Sequence, residues 1–149
     1  ANLMGRYPII LFVLAILLGF GFWWSGNHYR SAPDVANFSN GVGSALVNVV
    51  VPQTLSADAL IGKVSFEAKC SVCHGVNAAG QEGVAPPLVH KIYEPSHHGD
   101  AAFLMAAKNG VRAHHWRFGN MPPVEGLTDG DVRMIVAYVR ELQRANGIN

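Results

Sequence analysis

The apolar positions of this 149-residue chain fall into two textures, one continuous and one periodic. From Tyr7 to Ser25 there are 19 residues without a charge, with an unbroken uncharged run from Ile9 to Trp24. As a helix that stretch reaches about 28 Å, close to the ~30 Å hydrocarbon core of a bilayer. Trp23 and Trp24 at one end and Tyr7 at the other are placed like interfacial aromatics. Pro8 suits a first helical turn, where its missing N–H costs little. The pattern predicts one transmembrane helix within residues 1–25, an uncleaved signal anchor. Two other readings compete. A cleaved signal peptide has an apolar core of about 7–15 residues and then a small-residue cleavage site, and no A-x-A follows this run. A core helix in a small domain keeps one polar face, and this run is apolar all round.

Residues 26–55 change character. Gly26, Asn27, Ser31, Pro33, Asp34, Asn37, Ser39, Asn40, Gly41 and Gly43 break any period, which predicts an extended linker. Fully flexible, such a linker has an r.m.s. reach near 30 Å, on the order of a domain diameter. Within it, Ala45 to Val51 is apolar and β-branched. It is too short to stand as a lone strand, so it is expected to pack on the following domain or on a partner.

Periodic helical signals begin at Ser56, which can cap a helix from Ala57 to about Ala68, with Asp58 in the first turn. The stretch from His74 to His98 is rich in Gly and Pro and reads as loop. A short helix is predicted from Asp100 to Asn109, ended by Gly110. A second loop runs from Arg112 to Gly126, where Gly119, Pro122 and Pro123 bracket Met121. Thr128 starts the last helix, whose Val132, Ile135, Val136, Val139 and Leu142 follow helical spacing, with Gly147 just beyond it. Residues 56–149 thus predict one all-α domain.

Composition narrows the function. Hydrophobic residues are 50% and charged residues 14%, and the apolar excess sits at the N-terminus. The net charge of +1 and the absence of a basic run exclude a nucleic-acid partner. The two cysteines, Cys70 and Cys73, lie in one short motif, where a disulfide framework would spread them along the chain.

That motif is Cys70-Ser71-Val72-Cys73-His74, or C-x-x-C-H, the attachment signature of c-type haem. Two thiols add across the porphyrin vinyl groups. Two intervening residues in a helical turn set the sulfurs over adjacent pyrrole edges, and the next residue brings its imidazole to the iron. A thioredoxin-like pair would need a βαβ pattern, which is missing. A zinc site would need a second cysteine pair or nearer histidines. The predicted cofactor is one haem c, anchored by Cys70 and Cys73, with His74 as proximal ligand.

Around this motif, residues 57–144 resemble class I cytochrome c. Gly62-x-x-x-Phe66-x-x-x-Cys70 is similar to that family's N-terminal helix, and Ala85-Pro86-Pro87-Leu88 to its G-P-x-L segment. The resemblance implies that Gly62 permits a close helix crossing and that Phe66 lines the haem pocket. It implies that the Pro86 carbonyl accepts the His74 N–H and that Leu88 packs on the haem. Tyr138 resembles the aromatic that meets the N-terminal helix. The implied architecture is all-α, a class I cytochrome c fold preceded by a single transmembrane helix.

For the sixth ligand, Met121 sits in the rigid loop Gly119-Asn120-Met121-Pro122-Pro123, where the family places its ligand methionine. It could instead cover the haem edge without ligating. Met105 and Met134 lie on predicted helices and read as packing residues. His114 and His115 are rival ligands that would lower the potential. An open site would imply gas binding. Trp116 and Arg117 are expected propionate partners, against a packed Trp and a surface Arg. Lys108, Arg112 and Arg117 can form a mild positive rim. The chain has seven histidines. The pairs His97-His98 and His114-His115 would hold a second metal only if both converged; haem-propionate contacts or solvent exposure are the simpler roles.

Haem is attached to C-x-x-C-H outside the cytoplasm. The expected location is therefore the bacterial inner membrane, single-pass, with the domain on the periplasmic side; Arg6 agrees with positive-inside, while Arg30 lies on the other flank. The expected function is single-electron transfer in a respiratory or photosynthetic chain, from a cytochrome bc complex to a haem–copper oxidase or a photosynthetic reaction centre, without bond-making catalysis. The alternatives are a fixed haem c subunit of a larger oxidoreductase, of the haem–copper oxidase or nitric oxide reductase type, and a haem sensor or peroxidase with an open distal site.

Overall fold

The structure, a computed structural model, describes residues 43–149. The apolar run of residues 1–25 and the first part of the linker lie outside the described residues. Among the described residues no helix is long and apolar enough to cross a membrane.

Helix α1 spans Ala57–Lys69. Its first turn is closed by the Ser56 hydroxyl, which accepts from the Ala59 N–H at 3.2 Å. A single-turn helix, α2, follows at Ser71–His74. Short 3-10 turns occupy Val76–Ala78 and Lys91–Tyr93 within the region expected to be loop. Helix α3 spans Asp100–Asn109, as its capping signals predict, and ends on Gly110. Helix α4 spans Asp129–Ala145. Its start is a reciprocal capping box: the Thr128 hydroxyl accepts from the Asp131 N–H, and the Asp131 carboxylate accepts from the Thr128 N–H at 2.8 Å. The described residues contain no strand, only two isolated bridges, Gln81 with Ala85 and Val111 with Met121. The described domain is all-α.

The organising contact is the crossing of α1 and α4. The five apolar positions expected to face inward on α4 are all buried. Gly62 is the crossing point: a Cβ built there would lie 1.8 Å from the Met134 carbonyl oxygen, so only glycine lets the backbones approach this closely. One turn on, Phe66 and Tyr138 are both fully buried, with ring centroids 5.6 Å apart. The Tyr138 hydroxyl donates to Asn77 Oδ1 at 3.1 Å. Phe66 therefore belongs to the helix crossing and is absent from the cleft wall, where the resemblance had set it.

The last part of the expected linker, residues 43–55, is extended but docked. The Ala79 carbonyl accepts from the N–H groups of Leu46 and Val47 at 3.1 and 3.2 Å. Asn146 exchanges two hydrogen bonds with the Val50 backbone. Val49 and Leu55 pack against the core. The β-branched run is thus partly covered by its own domain, while Val50 and Val51 stay 63% and 41% exposed.

A polar network ties the loop before α3 to α4. Arg140 is buried, and its guanidinium donates to Asp100 Oδ1 at 2.8 Å, to the Tyr93 carbonyl at 2.6 Å and to the His98 carbonyl. Gln143, also fully buried, donates to the Leu88 and Tyr93 carbonyls at 2.8 and 3.0 Å. Buried loop carbonyls require such partners.

Candidate cofactor cleft

A cleft of about 560 Å³ opens between α2, α3 and the loop before α4. That is within the usual range for a small-molecule or cofactor site. Cys70, Cys73, His74, Pro86, Leu88, Trp116 and Met121 all line it. Arg117 is not part of the lining and is exposed to solvent.

One wall is α2. The Cys70 N–H continues the helical ladder to the Phe66 carbonyl, and the His74 N–H reaches the Cys70 carbonyl at 2.9 Å. A short helix leaves its last carbonyls without partners inside the helix; the Ser71 and His74 carbonyls accept from the Gly75 and Gly80 N–H groups, and those of Val72 and Cys73 have no backbone donor. Here the Gln81 side-chain amide nitrogen lies 2.8 to 3.2 Å from the carbonyl oxygens of Ser71, Val72 and Cys73 and shares its two N–H groups among them. His74 is buried and donates its Nδ1–H to the Pro86 carbonyl at 2.9 Å. A carbonyl can only accept, so this bond fixes the tautomer and leaves Nε2 as the free ligand atom. Burial pushes the His74 imidazole below its ordinary pKa, partly opposed by the Pro86 bond. Burial, with Cys73 nearby, pushes the Cys70 thiol up to about 11. That disfavours nucleophilic thiolate chemistry of the thioredoxin kind.

The remaining wall comes from α3 and the loop after it. Phe103 and Ala106 face the cleft, and so does Met105, which is 57% exposed and not the packed residue its helical position suggested. The Met121 N–H and carbonyl pair with the carbonyl and N–H of Val111, both at 2.9 Å. Gly110 permits this pairing: its φ is +73°, and a Cβ there would lie 2.5 Å from the Met121 carbonyl oxygen. His114 and His115 also line the cleft and are exposed. Trp116 Nε1 is buried without a hydrogen-bond partner. It approaches the Tyr93 hydroxyl closely enough to temper the upward push that burial gives that phenol, but without hydrogen-bond geometry. An orphaned indole N–H on a cleft wall fits an acceptor on a bound group.

Sequence reasoning missed Gln81, Arg140 and Gln143, which hold the walls in place. Arg140 and Gln143 carried a signal. They share a helix face with Val136 and Val139, where polar residues interrupt an apolar stripe.

Two cysteines flanking a helical turn, a buried imidazole with a free Nε2 and an apolar cleft with an orphaned donor define a helical domain for c-type haem. Residues 59–143 match the family model described as Cytochrome c, and the chain belongs to that family. Its cofactor is haem c, bound covalently through Cys70 and Cys73, the two cysteines of the chain. It is an electron-transfer haem protein. Comparison with curated proteins found no match.

Proposed function

We propose that this chain is a membrane-anchored monohaem cytochrome. It passes single electrons on the periplasmic face of the bacterial inner membrane, from a cytochrome bc complex to a haem–copper oxidase or photosynthetic reaction centre. The observation that carries the reading is the shared cleft of His74 and Met121, beside the two anchoring sulfurs. Bound there, the haem supplies a one-electron ferric–ferrous couple. His74 offers Nε2 as the proximal ligand, held in orientation by Pro86. Met121 offers its thioether from a loop pinned to Val111, and a thioether favours the ferrous state. Leu88, Phe103 and Ala106 would keep water from the haem, and Trp116 Nε1, which has no partner within the domain, would donate to an acceptor such as a propionate. The uncharged run from Tyr7 to Ser25 supports the anchor. Tethering would replace diffusion in three dimensions by a high effective concentration near both partners.

The test is spectroscopy on the full chain purified from membranes. Met121→Ala should abolish the weak long-wavelength ferric band that sulfur–iron ligation gives, while the denatured polypeptide keeps its covalent haem mass. Retention of that band would rule out Met121, and release of the chain by a salt wash without detergent would rule out the anchor. A fixed-subunit role is the second reading. The apolar stretch Val47 to Val51 would serve such a subunit as a permanent contact; Val49 packs on its own domain and Asn146 holds the Val50 backbone, while the Val50 and Val51 side chains stay exposed. Co-purification of an oxidase or reductase core through mild detergent would establish it instead.

A further inference from the structure

Two histidine pairs far apart in sequence meet at the mouth of the cleft. His97 and His98 come from the loop before α3, and His115 from the loop after it. Their rings are mutual neighbours: centroids lie 4.7 Å apart for His97 and His98, and 5.2 Å for each with His115. His97 Nε2 and His115 Nε2 approach to 3.4 Å. Two imidazole nitrogens bound to one tetrahedral ion at 2.0–2.1 Å would lie about 3.3 Å apart. One nitrogen from each of the three rings falls within 4.8 Å of the others.

The third member is oriented in advance. His98 is half-buried and donates Nδ1–H to the Ile92 carbonyl at 2.7 Å, which leaves Nε2 as its free nitrogen. A backbone carbonyl behind a ligand histidine is the usual outer support of a metal site. The His98 carbonyl is itself held by Arg140. His97 and His115 are exposed, so their rings can rotate to close the remaining distance. His114 packs against the cluster, its ring 4.3 Å from that of His115 and 6.0 Å from that of His98, and its Nδ1 is bonded to the Arg112 carbonyl, but it is not one of the three residues whose nitrogens converge within 4.8 Å.

We propose that His97, His98 and His115 form a binding site for one divalent copper or zinc ion at the mouth of the cleft, with a further position left to water. Three neutral imidazoles without a carboxylate suit these ions and not magnesium or calcium. His98 and His115 also line the cleft, so the ion would sit beside the haem pocket without using either of the ligands assigned to the haem.

The experiment is titration of the haem-loaded full chain with copper(II) sulfate. Metal is counted after gel filtration, and the copper is read by pulsed electron paramagnetic resonance. One retained ion per chain with imidazole nitrogen couplings is expected. Each of His97→Gln and His115→Gln should weaken binding roughly tenfold or more, and the triple variant with His98→Gln should retain none. His90→Gln, outside the cluster, should bind as the parent does. The unchanged Soret band of the two exposed-site variants certifies folding. No retained ion, couplings without imidazole nitrogen, or undiminished binding in the triple variant would overturn the proposal.

Discussion

The α1–α4 crossing and the cleft wall built on α3 are made from similar residues and serve opposite ends. At the crossing, Phe66, Tyr138, Val139 and Leu142 are fully buried against one another. No residue of α3 is buried, and Phe103, Met105 and Ala106 face the cleft. The first region satisfies its apolar surface within the chain. The second presents apolar surface to a cofactor, so haem burial is part of what holds α3 in place. Stability and function are thereby separated along the chain, and substitutions should divide the same way.

The largest effect is expected at Phe66. Phe66→Ala should cost roughly 4 kcal/mol by removing a fully buried ring, read by chemical denaturation of the haem-loaded protein. A loss no greater than that of an exposed position would break the contrast. Gly62→Ala is the sharper case. Helix propensity alone favours Ala by about 1 kcal/mol, yet a Cβ 1.8 Å from a backbone oxygen cannot be relieved by a rotamer. A net destabilisation of about 2 kcal/mol is expected, and a stabilised variant would show that the crossing is looser than described.

Arg140→Ala should cost about 2 kcal/mol, because the Tyr93 and His98 carbonyls lose charged donors. It should also perturb the haem spectrum, since Leu88, Tyr93 and His98 line the cleft. A stability loss with an unchanged spectrum would detach the network from the site. Met105→Ser, on the exposed cleft rim, should change stability by no more than about 0.5 kcal/mol, the same denaturation curve serving as the check.

The smallest effect concerns pH. Asp131 is held below its ordinary value of 3.8 by hydrogen bonds from the Thr128 hydroxyl and backbone N–H. A depressed carboxylate pKa adds stability that is complete above the unfolded value and lost as pH falls through the folded one. Asp131→Asn should therefore flatten the acid side of the stability profile, below about pH 4, and leave its slope at neutral pH unchanged. An identical acid limb in both proteins would remove the capping box from the account.

Much of the domain was legible because its signals are local. Caps at Ser56 and Thr128, the stop at Gly110 and the spacing of Val132 to Leu142 depend on neighbours within a turn or two, and those helices form where expected. The haem anchor was legible for the same reason, since thioether chemistry fixes cysteine spacing within five residues. The resemblance supplied two long-range contacts that spacing does not contain, Gly62 against α4 and His74 against Pro86.

Sequence by itself determined the cofactor, the three long helices of the described domain and the ligand candidates, because covalent spacing and capping act over short stretches of chain. Tertiary structure alone decided which side of α1 Phe66 serves, that Gln81 caps α2 and that Arg140 holds the loop before α3. It alone brought His97, His98 and His115 together. Those outcomes depend on which distant carbonyls lose water and on where two loops cross, and neither is written in the order of residues within either loop.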